Sequence, residues 1–137
     1  MSTVSFIRAA GLLAALVLAA SFFIPVAETF QGYQAFLLSF ESWGTTETWE
    51  PEALPIVLSW LANVGALFGL ASIFLPKDRS RWVRMLSLMG VLTLGPLLAA
   101  PDDLLLGYYL WMASIMAIMV LALVYPRVEP PLKTAPA

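Results

Sequence analysis

The chain has neither cysteine nor histidine. Without thiolate or imidazole it can build no Cys/His zinc site, no iron–sulfur cluster, no His- or Cys-ligated haem and no Ser–His or Cys–His nucleophile, so no metal centre and no cofactor of those kinds is expected. Charge is scarce too: only 12% of the 137 residues are Asp, Glu, Lys or Arg, and the net charge of −2 gives no footing for nucleic acid. What little charge there is avoids the interior of every long apolar run. A proton-coupled transporter, a pump or a voltage sensor places ionisable groups inside the membrane, and those classes lose their support. Nor do the acidic residues make a hydrolase, since no nucleophile, base or oxyanion donor stands beside them.

What fills the chain instead is apolar: 61% of residues are hydrophobic and the mean hydropathy is +0.86, too high for a domain that must cover its own surface in water. Four runs, residues 6–24, 54–75, 82–100 and 104–125, each approach the ~20 residues needed to cross a ~30 Å hydrocarbon core as helix. The expected fold is therefore an all-α integral membrane protein, a single domain of four transmembrane helices in a bundle. The first run also has features of a secretory signal, with Arg8 ahead of an Ala/Leu-rich core and the small residues of "LAAS"; it is expected to be retained as a span.

Topology follows from the loops. All seven basic residues, Arg8, Lys77, Arg79, Arg81, Arg84, Arg127 and Lys133, fall at one end of the spans. The other end carries Glu28, Glu41, Glu47, Glu50, Glu52, Asp102 and Asp103 with no Lys or Arg. The positive-inside rule then puts both termini and the tail 126–137 in the cytoplasm, and the first loop, residues 25–53, outside. Within that loop Phe30, Tyr33, Leu37 and Phe40 recur at helical spacing, with Phe36 beside them and Glu28, Gln31, Gln34 and Glu41 toward the other side. This predicts a short amphipathic helix along the outer interface. Pro51 suits the first turn of the second span. The Pro-rich tail is expected to be unstructured on its own.

Three patterns bear on function. Small residues four apart, Gly65 and Gly69 in the second span and Gly11, Ala15 and Ala19 in the first, let backbones approach closely, either inside the bundle or against another protein. Uncharged polar side chains, Ser59, Asn63, Thr93 and Ser114, share a layer just outside the midplane on three spans, with Trp60 and Trp111 at nearly equal depth and Tyr108 above. Such a layer serves either interhelical hydrogen bonds worth ~0.6 kcal/mol each or a niche for the carbonyl or hydroxyl of a lipid-soluble ligand. Finally, twelve of the seventeen aromatics, Phe22, Phe23, Phe30, Tyr33, Phe36, Phe40, Trp43, Trp49, Trp60, Tyr108, Tyr109 and Trp111, crowd the outer end, whereas an ordinary aromatic belt marks both interfaces. Pro96 is expected to kink the third span and open space beside it. Glu47, Glu50, Glu52, Asp102 and Asp103 have the oxygen chemistry calcium takes, but their spacing matches no calcium loop, and a solvated acidic rim is the simpler reading.

The "WLAN" of the second span and the "GYYLW" of the fourth resemble small four-span bacterial inner-membrane proteins; the resemblance implies that membrane and carries over no residue or activity. Two functions are expected on these grounds. One is a non-catalytic accessory or scaffolding subunit of a larger membrane complex, whose partners are lipid and other subunits or further copies of itself. The alternative is a binder of a lipid, quinone or carotenoid in the outer half of the bundle.

Overall fold

The computed structural model describes residues 2–28, 30–41, 51, 54–75 and 77–128, with backbone alone at 39–40, 77–80 and 127–128. Four helical segments, Thr3–Ser21, Leu54–Phe74, Arg81–Ala99 and Leu106–Pro126, are long and apolar enough to cross a membrane. The first is α1 (Thr3–Ser21), started by Ser2, whose hydroxyl accepts the Ser5 N–H at 3.2 Å and satisfies one of the donors a helix leaves bare at its N-terminus. A two-stranded hairpin follows, β1 (Pro25–Ala27) against β2 (Phe30–Gln31), and leads into α2 (Gly32–Glu41). The helix expected through Phe30 thus starts two residues later, because Phe30 is spent on strand pairing.

The second span is two helices, α3 (Leu54–Leu58) and α4 (Leu61–Phe74). It begins after Pro51; Pro55, not Pro51, occupies its first turn. The third is α5 (Lys77–Leu86), a 3-10 stretch Ser87–Leu94, and α6 (Gly95–Ala99). A short 3-10 turn, Pro101–Asp103, and an extended Leu104 delay the fourth span, α7 (Leu106–Val128), by two residues relative to the expected Leu104. At its other end α7 continues through Pro126, past the expected stop at Tyr125.

α4 and α7 form the central pair. α1 lies along α7 and touches α4, and the third span packs on both α4 and α7 from the other side. Small residues make the central seams. A Cβ built on Gly65 would come within 2.8 Å of the Met89 Cβ, and one on Gly69 within 2.8 Å of the Ile118 Cγ2, so both glycines are consumed inside the bundle, against the third and fourth spans. On α1 the buried track runs Ile7, Gly11, Ala14 and Ser21. It departs from the expected four-residue stripe: Ala15 is half-buried and Ala19 exposed. The reason is geometric, since a track that stays on one neighbour along a straight helix needs steps of both three and four residues at 3.6 per turn.

Candidate functional site

The end of the bundle that carries the hairpin and α2 has a cap built largely of backbone. The Gly32 N–H donates to the Ile24 carbonyl at 3.2 Å and the Tyr33 N–H to the Phe22 carbonyl at 2.9 Å, folding α2 back over the end of α1. The Leu105 N–H donates to the Val26 carbonyl at 2.9 Å and ties the hairpin to the loop ahead of α7. An edge-to-face contact of Phe22 with Phe36, ring centroids 5.9 Å apart, closes the joint between α1 and α2.

Beneath the cap the second and third spans both lose regular helix at the same level. In the second, the Ser59 N–H bonds Ile56 at 3.2 Å, and Ala62 and Asn63 bond Ser59 and Trp60, three residues back rather than four. The Ser59 hydroxyl also donates to the Ile56 carbonyl. The Pro55 carbonyl, released from the helix, points at Gly95: a Cβ there would stand 2.1 Å from its oxygen, so only glycine admits the approach. In the third span Pro96 has no N–H to give, and the hydroxyls of Ser87 and Thr93 take the carbonyls of Arg84 and Gly90, three residues back, which favours the tighter 3-10 winding. The disturbance expected at Pro96 therefore reaches about three turns ahead of it, to Ser87.

Between cap, breaks and α7 lies a cavity of about 280 Å³, lined by Phe22, Val26, Ala27, Phe30 and Phe36 from the cap side, by Ile56, Ser59, Trp60 and Asn63 of the second span, by Pro96, Ala100, Asp103 and Leu104, and by Tyr108 and Trp111 of α7. That is roughly twice the ~150 Å³ cavity that admits a benzene. Its polar floor is fixed. The Trp111 Nε1–H donates to the Asn63 Oδ1 at 2.8 Å across the α4–α7 seam, and the Asn63 Nδ2 donates to the Trp60 carbonyl at 3.2 Å. One amide proton of Asn63 is left, and the Ser59 oxygen keeps its acceptor capacity.

Of the seven residues the sequence placed in a polar layer, the cavity brings together Ser59, Trp60, Asn63, Tyr108 and Trp111. Thr93 and Ser114 lie outside it, buried, their hydroxyls donating to Gly90 and Trp111 of their own helices at 2.8 Å. Thr93 takes part through its backbone instead: its carbonyl accepts the Tyr108 hydroxyl at 2.5 Å. Tyr108 and Tyr109 also separate. Tyr109 is 42% exposed as a belt residue would be, whereas Tyr108 is 3% exposed and its ring lies 5.8 Å from that of Trp111. Interhelical polar bonding in this layer thus runs through Asn63 and Tyr108 rather than from hydroxyl to hydroxyl.

Sequence reasoning missed the hairpin, whose strands of three and two residues are too short to show a period, and missed Asp103 as a wall of the cavity. The Pro101–Asp103 turn was the available signal, since it sets Asp103 directly ahead of α7. Glu47, Glu50 and Glu52 fall outside the described residues; among the described residues no three acidic groups converge on a metal position. Comparison with protein-family models, with curated proteins and with solved structures gave no match to this chain.

Proposed function

We propose that the protein binds a lipid-soluble small molecule in the capped cavity. The observation that carries this reading is the cavity itself: aromatic and aliphatic walls around a small set of oriented polar groups, the composition ligand pockets favour. Its volume suits a ring with a short chain, so a quinone, lipid or carotenoid would enter by its ring or head and leave its tail among the helices. Asn63 and Ser59 would fix a carbonyl or hydroxyl, and Trp60 and Trp111 would pack on the ring. No reaction is assigned to the site. The positive-inside bias supports cytoplasmic termini, which would put the cavity in the outer leaflet; a bacterial inner membrane is what the resemblance of the second and fourth spans implies.

The accessory-subunit reading keeps one supporting observation, the exposed Leu12, Leu13, Leu16 and Ala19 of α1, an apolar face another subunit or lipid could cover. It loses the Gly65–Gly69 stripe as a docking face. Native mass spectrometry from mild detergent separates the two readings. The binder shows a small added mass, lost in Asn63→Leu and Trp111→Ala; the subunit shows stoichiometric partners. A bare monomer would count against both.

A further inference from the structure

We infer that the cavity prefers a cationic amphiphile, with its positive head at Asp103 and its apolar body against Trp60 and Trp111. This rests on the cavity being a ligand site. Among the described residues that line it, Asp103 alone is charged, and its carboxylate makes no hydrogen bond or ion pair with another described side chain. Nothing basic stands at that end of the molecule: residues 22–53 and 100–107 contain no Lys or Arg, while Asp103 is exposed, as are Asp102 next to it in sequence and Glu28 in the hairpin loop. An anionic head would meet like charge with no cation to offset it. A neutral head would leave the carboxylate unused. A cation gains the carboxylate at the mouth and the aromatic lining of Phe22, Phe30, Phe36 and Tyr108 along the wall.

The test uses the full chain in phosphatidylcholine nanodiscs, with equilibrium dialysis against empty nanodiscs as blank. The probes are benzyltrimethylammonium, its uncharged carbon isostere neopentylbenzene, and a phenylalkyl anion, 3-phenylpropionate. The cation is expected to bind roughly tenfold more tightly than the isostere, and the anion no more than the blank. Asp103→Asn should bring cation and isostere within about twofold, whereas Asp102→Asn, outside the lining, should keep most of the ratio. If the isostere binds the wild-type chain as tightly as the cation, the site stands and the charge preference falls. The preference also falls if it survives Asp103→Asn, or if Asp102→Asn abolishes it equally. If no probe binds, the cavity is not a ligand site and both readings fail.

Discussion

The two ends of this bundle solve the same packing problem in opposite ways. At the end bearing the chain's basic residues, the gap between α1, α4 and α7 is filled by side chains: Ile7, Ile73, Ala122 and Tyr125 form a buried cluster, with Tyr125 only 1% exposed. Arg8 completes it, its Nη2 donating to the Tyr125 hydroxyl at 3.0 Å and its guanidinium lying 5.7 and 5.9 Å from the ring centroids of Phe74 and Tyr125. At the other end two spans depart from regular α-helix, the gap stays open, and backbone hydrogen bonds hold a cap over it. One end is closed by volume and the other by a cap. The second solution leaves the room that the proposed ligand would fill.

That contrast can be broken at its strongest point. Tyr125→Ala removes the ring that fills the closed end and should destabilise the fold by ~3–5 kcal/mol, read as an earlier unfolding midpoint in detergent; probe binding at the far cavity should survive wherever the protein remains folded. Gly69→Leu, which drives a side chain into Ile118 on the central seam shared by both ends, should cost ~1–3 kcal/mol in the same measurement. An effect near zero would mean the seam is looser than its 2.8 Å approach implies. Asn63→Leu leaves the Trp111 N–H buried without its acceptor, at ~1–2 kcal/mol. Its larger effect should be on occupancy, the reverse of the ratio expected for Tyr125→Ala. Smallest is Arg8→Lys, which keeps the charge but gives up the guanidinium's position over two rings. A loss of ~0.5–1 kcal/mol is expected, with no change in probe binding.

The four spans were legible because hydropathy over twenty residues survives any local detail. So was the crowding of aromatics and polar groups at one depth. Depth, however, does not give direction. Thr93 and Ser114 sit where Asn63 does, yet their short hydroxyls reach only their own helix, while the longer Asn63 amide spans the seam to Trp111. The break at Ser59–Trp60 carried no local mark either. It depends on Pro55 and Gly95, which lie forty residues apart and acquire meaning only when two helices meet. The hairpin was hidden for another reason: its two pairs, Pro25 with Gln31 and Ala27 with Phe30, are too few to show a pattern, and it is held by its surroundings, Val26 by the Leu105 N–H and the turn into α2 by the Gly32 and Tyr33 N–H groups on Ile24 and Phe22.

The 3-10 stretch also acts as a ruler. Its eight residues rise ~2.0 Å each rather than ~1.5 Å and so lengthen the third span by ~4 Å. The third span has 19 residues against 21 in each of the two it packs between. With the extra rise it reaches ~32 Å, the same as theirs, within the ~30 Å scale of a bilayer's hydrocarbon. A winding imposed by Pro96 and two hydroxyls thereby brings this span to the length of the two it packs between, and restoring a regular helix there would shorten it to that of the first span, which also has 19 residues.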